Sequence, residues 1–294
     1  MTNFTHDPTP RIALVTSYAP EWHSLCRECA ERGIPLTHQR LNGIEFATAI
    51  IGAVPVVMYL SGMSMVNAAM SAQLLLDRFT VTAIILSGIA GSADPALHVG
   101  DVLLPDHWGQ YLESIMAREE ADGFAPPPFL DGYRVKAPNF GMAFPMMLEV
   151  AREGAATRER RFWFPASPPL LEAGRRVAAH VQLESGTDAG HRLSHQPRVI
   201  IGGKGLSGGA FVDNAHLREW AHDAFGAQVL DMESAAVAHV AWCNRVGFVA
   251  VRSVSDLAGG GASDNEMATF MGLAAINSVR VVLDLVAEIG RAAS

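Results

Sequence analysis

Residues 248–256 read Phe-Val-Ala-Val-Arg-Ser-Val-Ser-Asp, an apolar run that ends in a polar tip. A short run of this composition is typical of a strand that is buried on both faces. Its last residue, Asp256, would lie at the carboxyl end of that strand, where ligands bind in open α/β sheets. An isolated acid at such a position more commonly caps a following helix. The stretch therefore predicts a central strand and one candidate acid, whose role depends on the rest of the chain.

The segments on either side of this strand alternate between strand-like and helical patterns. Strands are predicted at residues 11–17, 46–60 (with a break near Gly52), 81–86, 102–104, 199–201, 227–231 and 248–254. Helices are predicted at residues 21–32, 66–79, 234–244 and 265–289. Strands separated by helices imply an α/β fold with a mostly parallel sheet that is covered on both faces.

The 294 residues are predicted to form one domain, because 49% of them are apolar and only 18% are charged. Residues 1–10 are predicted to be a flexible leader, and residues 11–294 the domain itself. Residues 106–198 are irregular and are interpreted as an insertion, which either packs on the same core or forms a lid or oligomer contact. A separate domain is disfavoured, because strands of the main sheet resume after this segment.

Charge and cysteine content limit the class of partner. The net charge is −8 and the isoelectric point about 5.7, which disfavours a nucleic-acid-binding face. The sequence has no long basic run and no uninterrupted apolar stretch of about 18 residues, so we expect no contact with a membrane. Three cysteines and the absence of a signal-peptide pattern suit a protein of the reducing cytoplasm.

Two pairs of potential metal ligands are interpreted as incidental. Cys26 and Cys29 form a Cys-x-x-Cys pair on the first predicted helix, without a second pair that would complete a zinc site. His191 and His195 lack the glutamate that follows the first histidine in the helix of zinc proteases. We therefore expect neither a metal nor a cofactor.

Two acids lie at the junction between the strand predicted at residues 227–231 and the helix predicted after it. Residues 229–238 read Val-Leu-Asp-Met-Glu-Ser-Ala-Ala-Val-Ala, so Asp231 and Glu233 stand at the start of a helix of small residues. A carboxylate there can interact with the helix dipole, or it can accept hydrogen bonds from the vicinal hydroxyls of a sugar. This segment alone favours the dipole and leaves both interpretations open.

Two glycine-containing segments could approach a flat ligand. Residues 87–92 read Ser-Gly-Ile-Ala-Gly-Ser, which permits close backbone approach but lacks the spacing of a dinucleotide-binding loop or a P-loop. Residues 207–212 read Ser-Gly-Gly-Ala-Phe-Val, and Phe211 could stack on a ring. Each segment also has a plain interpretation, a tight turn for the first and a core phenylalanine for the second.

Together these segments resemble the purine nucleoside phosphorylase and nucleosidase superfamily, most closely its methylthioadenosine/S-adenosylhomocysteine nucleosidases. The resemblance covers about residues 12–104 and 199–289, with the elements in the same order. Residues 61–69, Ser-Gly-Met-Ser-Met-Val-Asn-Ala-Ala, are similar to the family's Gly-x-Gly-x-x-Asn-Ala-Ala helix start, with Ser64 in place of the second glycine.

The most specific signal is Asp-Met-Glu at residues 231–233, followed by Ser-Asp at residues 255–256 with Arg252 between them. The resemblance implies a single-domain, three-layer fold in which helices flank a mostly parallel, partly barrel-like mixed sheet. It also implies a small-molecule nucleoside as the partner, and a homo-oligomer, most commonly a dimer.

The resemblance further implies hydrolysis of the N-glycosidic bond of a purine nucleoside similar to 5′-methylthioadenosine or S-adenosylhomocysteine, with release of the free base. Asp256 would protonate the base, and Glu21 would activate the attacking water. Bond cleavage builds negative charge on the base and positive charge on the sugar, which acids and carboxylates respectively stabilise. Because an ordinary aspartate is ionised at neutral pH, Asp256 needs burial or nearby negative charge to hold a proton.

The remaining roles implied by the resemblance concern substrate binding. Glu233 would hold the ribose 2′- and 3′-hydroxyls, and Met232 would pack against the sugar. Phe211 would stack on the base, while the backbone of Val212 would bond to its edge. Further substrate-binding positions are Ile89, Ala90, Gly91, Arg252 and Ser255.

Water rather than phosphate is predicted to be the nucleophile. Bacterial phosphorylases of the superfamily have arginines in the first strand–loop and before the glycine-rich turn, where they form a pocket for the anion. Residues 16–21 and 85–88 contain no arginine, and Glu21 would repel phosphate; Arg252 is the one reservation. The alternatives are a phosphate-dependent purine nucleoside phosphorylase and a non-enzymatic storage or ligand-binding protein on the same fold.

Overall fold

The computed structural model describes residues 6–261 and 264–293. Its strands are β1 (Asp7–Thr16), β2 (Thr37–Leu41), β3 (Ile44–Ile51), β4 (Val54–Leu60), β5 (Phe79–Ser92), β6 (Val102–Leu104), β7 (His107–Gln110), β8 (Ser114–Met116), β9 (Arg118–Glu120), β10 (Gly123–Ala125), β11 (Ala143–Pro145), β12 (Leu148–Val150), β13 (Glu159–Arg161), β14 (Trp163–Pro165), β15 (Val199–Ile201), β16 (Lys204–Ser207), β17 (Ala227–Asp231) and β18 (Gly247–Asp256). Its helices are α1 (Ala19–Glu31), α2 (Met65–Arg78), α3 (Pro168–Ala178), α4 (Ala215–Phe225), α5 (Ser234–Cys243) and α6 (Met267–Ala293), with a 3₁₀ helix at Pro128–Tyr133.

A large mixed sheet forms the centre of the molecule. Its strands follow the order β14-β7-β16-β17-β5-β1-β4-β3-β2, and β18 pairs with both β5 and β6. β1 lies parallel to both β4 and β5, and β18 is parallel to β5. β2 and β3 extend the sheet beyond β4 as antiparallel neighbours. The predicted α/β fold with a mixed central sheet flanked by helices is confirmed.

β5 changes partners along its length. Its first part pairs with β1 as far as Leu86, β18 follows it as far as Gly91, and β17 pairs antiparallel with Gly91 and Ser92. This exchange of partners joins both β17 and β18 to the middle of the sheet. The predicted strand at residues 81–86 was therefore too short, because the glycine-containing segment after it continues the strand.

Helices cover both faces of the sheet. On one face α2 and α5 pack together, with Leu75 and Val237 in a common core. On the other face α1, α3 and α6 pack together, with Leu25 and Val282 fully buried. The two apolar cores and the sheet between them form three layers.

Helix α6 accounts for much of the chain's apolar character. Among the described residues it is the one helix that is long and apolar enough to cross a membrane by length and composition. In the structure, 61% of an apolar 18-residue stretch of this helix is buried inside the protein, where α6 packs against α1, α3 and β18. Its apolar side chains therefore serve the core.

The segment predicted to be an irregular insertion contains several short strands. β7 and β14 pair with each other, and β7 also pairs with β16, so both belong to the central sheet. Between them lie three small antiparallel pairs, β8 with β11, β9 with β10, and β12 with β13. The boundaries of an insertion at residues 106–198 remain a prediction.

The start of β1 corrects part of the predicted leader at residues 1–10. Asp7 pairs with Phe79 at the start of β5, and its carboxylate lies 2.9 Å from Arg11. Residues 7–10 are therefore part of the sheet. Their polar composition reflects the exposure of this end of β1. Residues 1–5 of the predicted leader lie outside the described residues.

Candidate active site

A cleft of about 630 Å³, partly open to solvent, lies where β1, β5, β17 and β18 end. Such a position is expected for a ligand site in an α/β sheet. The cleft brings together ten of the eleven predicted site residues: Glu21, Ile89, Ala90, Gly91, Phe211, Val212, Met232, Glu233, Ser255 and Asp256. Residues that are far apart in the sequence are therefore assembled in one place.

Asp256 is 2% exposed, and its carboxyl group is held from both sides. The Ser255 hydroxyl donates to Oδ2 at 2.7 Å, and the Ala258 N–H donates to Oδ1 at 2.9 Å. Burial raises the pKa of Asp256 above the usual aspartate range, although these hydrogen bonds oppose the change. The group can therefore carry a proton more readily than an exposed aspartate.

Glu21, in the first turn of α1, accepts three backbone hydrogen bonds. The N–H groups of Ser17 and Tyr18 donate to Oε2, each at 2.9 Å, and the Ile89 N–H donates to Oε1 at 2.9 Å. Burial raises the pKa of Glu21, against the opposing effects of Arg252 and the three donors. This carboxyl group is oriented and poorly solvated, as a general base requires.

Glu233 lies at the start of α5 and is also held at both oxygens. The Ser64 N–H donates to Oε1 at 2.8 Å, and Arg252 Nη2 donates to Oε2 at 3.1 Å. Burial raises the pKa of Glu233 to about 7; Arg252 opposes this shift, and the nearby Asp231 adds to it. Near neutral pH, Glu233 can therefore gain or lose a proton with little change in free energy.

Arg252 is fully buried and does not line the cleft. Its Nε lies 2.7 Å from Asp231 Oδ2 and donates to Ser234 Oγ at 2.9 Å. Nη1 donates to the Ile89 carbonyl at 3.3 Å and lies 3.9 Å from Glu21 Oε1. Burial disfavours the charge on Arg252, but the surrounding carboxylates outweigh it and raise its pKa. Arg252 therefore lies behind the cleft wall, where its donors hold protein acids, and its role in substrate binding stays a prediction.

Apolar side chains form the other walls of the cleft. Phe211 is 57% exposed at the rim, whereas Val212 is partly buried against the core around α4. Met63 and Met232 line the cleft as well. An exposed aromatic ring beside apolar walls can stack on a flat base.

The sequence interpretation missed several residues of the cleft: Ser17, Tyr18, Met63, Ala210, Leu230 and Met267. Most of these adjoin a predicted site residue or motif, so proximity in the sequence could have identified them. Met267 is different, because it begins α6 and no motif marks it.

Ser64 stands where the family pattern has its second glycine. Its backbone has φ 78° and ψ 163°, a region that is almost restricted to glycine. In this conformation the Ser64 N–H reaches Glu233 Oε1. The family's glycine is therefore explained by backbone geometry, and the serine adopts that geometry despite its side chain.

The potential metal ligands comprise the Cys26–Cys29 pair and two histidines. Burial raises the pKa of the Cys26 and Cys29 thiols to about 11, so both are protonated at neutral pH. The His195 ring packs on His98, with 4.9 Å between ring centroids. Within residues 6–261 and 264–293, no group of three or more His, Cys, Asp or Glu side chains is arranged to hold a metal ion.

Comparison with known proteins identifies related sequences. The family model described as the phosphorylase superfamily matches residues 11–287. The 5′-methylthioadenosine/S-adenosylhomocysteine nucleosidase of Staphylococcus aureus is 29% identical over 247 residues, which cover 84% of this chain and 87% of the relative. The protein of the same name from Mycobacterium bovis is 26% identical over 249 residues, with the same coverage.

Solved structures share the fold. The 5′-methylthioadenosine/S-adenosylhomocysteine nucleosidase of Neisseria meningitidis, in complex with methylthio-immucillin-A, has a TM-score of 0.69 at 22% identity, covering 94% of this chain and 98% of that one. Futalosine hydrolase of Helicobacter pylori has a TM-score of 0.67 at 19% identity, covering 94% and 97%.

Proposed function

The chain belongs to the phosphorylase superfamily, and we propose that it hydrolyses the N-glycosidic bond of a purine nucleoside similar to 5′-methylthioadenosine or S-adenosylhomocysteine. The curated relatives are named as nucleosidases, which supports hydrolysis over phosphorolysis. The observation that carries the proposal is the charge of the cleft. Glu21, Asp231, Glu233 and Asp256 line it, and among the described residues no lysine or arginine does.

This charge distribution favours water as the nucleophile. Phosphate needs cationic donors, usually arginine, at its binding site. Arg252, whose guanidinium contacts acids of the cleft, is buried and bonded to Asp231 and Glu233. The carboxyl groups on the cleft wall would repel phosphate, whereas a neutral water meets no such barrier.

Asp256 is proposed to donate a proton to the leaving base. Its buried carboxyl group has a raised pKa and lies in the same cleft as the exposed ring of Phe211. That ring would stack on the base, and the backbone of Val212 would bond to its edge. Protonation neutralises the negative charge that the base gains as the bond stretches.

Glu233, Met232 and Glu21 are proposed to act on the sugar and on water. Glu233 would accept hydrogen bonds from the two ribose hydroxyls, and Met232 would pack against the ring. Glu21 would accept a proton from the attacking water. The carboxylates also stabilise the positive charge that develops on the sugar.

The test is release of free base from methylthioadenosine, S-adenosylhomocysteine, adenosine and inosine, with and without phosphate. We expect base release that does not depend on phosphate, with the free sugar derivative as the second product. Strict dependence on phosphate with a ribose-1-phosphate product would overturn the proposal. Nucleoside binding without turnover would instead support a storage or ligand-binding protein.

Asp256→Asn separates the role of the acid from a general loss of structure. We expect kcat to fall about 100- to 10,000-fold while the variant remains folded, because asparagine cannot donate this proton. Asp122→Asn, in the exposed turn between β9 and β10, is the matched control and should keep wild-type activity. A fully active Asp256→Asn variant would contradict the role assigned here.

We further propose a homo-oligomer, most simply a dimer, in the cytoplasm. The N-terminal half of α2 exposes Val66 and Met70, beside Met63 of the cleft wall. A cluster of exposed apolar side chains of this kind is common at protein interfaces. The three cysteines are all free, which suits a reducing compartment.

A further inference from the structure

Asn265, in the turn before α6, contacts three parts of the cleft wall. Its Nδ2 lies 3.0 Å from Asp213 Oδ1 and 3.5 Å from Asp256 Oδ1. Its Oδ1 accepts a hydrogen bond from the Met267 N–H at 2.9 Å. Met267 lines the cleft, and Asp213 directly follows residues 211–212, the base-facing part of the wall. One amide therefore connects the proton donor, the base-facing loop and the start of α6.

The neighbours of this amide fix its orientation. The amide oxygen must face the Met267 N–H, because two donors facing each other would repel. The NH₂ group then faces the carboxylates of Asp213 and Asp256, and its two hydrogens allow it to donate to both. A flipped amide would place its oxygen against both carboxylates and its NH₂ group against an N–H.

We propose that Asn265 is a positioning residue that holds Asp256 Oδ1 as a hydrogen-bond acceptor and so leaves Oδ2 as the oxygen that carries the proton. The inference rests on the proposed role of Asp256 in base release. Oδ1 receives the Ala258 N–H at 2.9 Å in addition to the Asn265 amide. Two donors on one oxygen disfavour a proton there.

The environment of Oδ2 allows it to gain and lose a proton. When Asp256 is ionised, the Ser255 hydroxyl donates to Oδ2 at 2.7 Å. When Oδ2 is protonated, the same hydroxyl can turn to the Ala90 carbonyl, which lies 3.4 Å from Ser255 Oγ. The hydroxyl therefore has an acceptor in either state, and the proton on Oδ2 is free to pass to the base.

The charged groups around Asp256 are mostly acidic. Burial is the main cause of its raised pKa, and Glu266 adds to the shift through its charge. Asp213 is held against the same amide, while Glu21 and Glu233 line the same cleft. Burial and the charge of Glu266 therefore favour the protonated form of Asp256.

The Asn265 hydrogen bond acts in the opposite direction, because it stabilises the ionised carboxylate and lowers the pKa of Asp256. Loss of that bond should raise the pKa of Asp256 and free its carboxyl group to rotate. The raised pKa would be visible in the titration of Asp256, and the rotation of its carboxyl group would change the rate of proton transfer. A residue that only stabilised the start of α6 would change neither.

The test is the pH dependence of kcat for base release from methylthioadenosine. Asn265→Ser keeps an oxygen that can accept the Met267 N–H, but its side chain is too short to reach Asp256. We expect kcat at neutral pH to fall about 10-fold, because a misplaced acid transfers its proton poorly, while KM changes little. The alkaline limb of the profile should move to higher pH, since the acid must be protonated to act and its pKa has risen.

Two further variants sharpen the test. Asn265→Asp keeps the acceptor for Met267 but replaces the donor with a negative charge, so it should move the alkaline limb further upward. Asn139→Ser alters an asparagine outside the cleft, which donates to the Gly141 carbonyl, and should leave the profile unchanged. An alkaline limb that stays at its wild-type pH in both Asn265 variants overturns the inference, whatever their stability.

A titration of the Asp256 carboxyl carbon by ¹³C NMR separates this inference from the proposed function. Its signal is assigned by its absence from Asp256→Asn, and no turnover is needed. If wild-type protein releases no base from any of the four nucleosides, the proposed function fails, but the titration still tests the contact. A higher pKa for Asp256 in Asn265→Ser supports the positioning role, and an unchanged pKa overturns it.

Discussion

Three carboxyl groups share one guanidinium beside the cleft. If Glu21, Asp231 and Glu233 were all ionised, Arg252 would leave two negative charges uncompensated in a buried site, which is costly. The raised pKa of Glu233, to about 7, and that of Glu21 reflect this cost. A sugar that gains positive charge during bond cleavage supplies the missing counter-charge. Arg252 therefore limits the excess of negative charge without removing it, which suits an oxocarbenium-like transition state.

Ser64 is expected to carry backbone strain, because its φ of 78° and ψ of 163° are almost restricted to glycine. Ser64→Gly should raise the free energy of unfolding by about 1 kcal/mol, since relief of strain exceeds the entropy that glycine adds to the unfolded chain. The N–H that binds Glu233 is retained, so kcat should not fall. Urea denaturation and base release measure the two effects.

Gly62→Ala is the matched control for the same turn. Gly62 has φ 82°, and an added Cβ would lie 3.3 Å from Asn67 Nδ2. Gly62→Ala should therefore lower the free energy of unfolding, whereas Ser64→Gly should raise it. A loss of stability in Ser64→Gly would show that the serine side chain makes a contact worth more than the strain.

At the scale of elements, β5 shows what the sequence could and could not predict. Its apolar part, residues 81–86, was predicted from composition. The continuation through Gly88 and Gly91 was interpreted as a turn, because glycine weakens a strand. The strands that pair with this part of β5, β17 and β18, also lie far along the chain. In the fold these glycines provide space: an added Cβ would lie 2.1 Å from Arg252 Nη1 at Gly88, and 3.1 Å from Asp256 Oδ1 at Gly91.

Gly88→Ala should therefore damage both the fold and the site. Its Cβ would also lie 2.6 Å from Glu21 Oε1, so the buried ion cluster must move to accept it. We expect a loss of about 2 kcal/mol in the free energy of unfolding, typical of an overpacked core, and a lower kcat. Denaturation and base release on the purified variant measure both.

Gly272→Ala is the control on α6, where an added Cβ would meet no atom within 4 Å apart from the neighbouring backbone of the helix itself. This substitution should gain about 0.5–1 kcal/mol from improved helix propensity and keep its activity. If Gly88→Ala and Gly272→Ala had the same stability and activity, the close approach of Arg252 and Glu21 to Gly88 would not constrain the site.

The candidate site was predictable to the extent that its residues stand at the ends of predicted elements. Asp256 ends a strand that is parallel to β5, so its place at this edge follows from a parallel sheet. Glu233 follows β17, which pairs antiparallel with the last residues of β5, so its arrival in the cleft depends on the change of partners along β5. The burial of Arg252 behind the cleft was not predictable, because it depends on the side-chain direction within β18. Asn265 carries no motif, and its partners Asp213 and Met267 approach it only through the fold.

At the scale of the whole molecule, the alternation of strands and helices was sufficient to predict an α/β fold, which the structure and the family match confirm. The two halves of the resemblance, about residues 12–104 and 199–289, meet through the pairing of β5 with β18. β7 and β14 also join the central sheet but are only four and three residues long. Strands this short leave too little periodicity to detect, so the middle of the chain was predicted less well than its ends.

The proposed homo-oligomer makes a prediction about the exposed face of α2. Val66 is 79% and Met70 55% exposed, and Met63 on the cleft wall adjoins them in the sequence. A second copy packed on this face would cover apolar surface and shelter one wall of the cleft. Val66→Glu should therefore weaken self-association at least about tenfold, because an unpaired charge is buried in the interface. It should also raise KM more than it lowers kcat, because the acids of the cleft are unchanged.

Sedimentation velocity over a range of protein concentrations measures the association, and base release measures KM. Ile50→Glu on β3 is the matched control, since Ile50 is also exposed but does not line the cleft, and it should leave both quantities unchanged. A wild-type protein that stays monomeric at every concentration would contradict the oligomer itself. If Val66→Glu and Ile50→Glu changed self-association equally, the interface would not lie on the exposed face of α2. A weakened association with an unchanged KM would mean that the partner packs on α2 without sheltering the cleft, so each copy would bind its substrate alone.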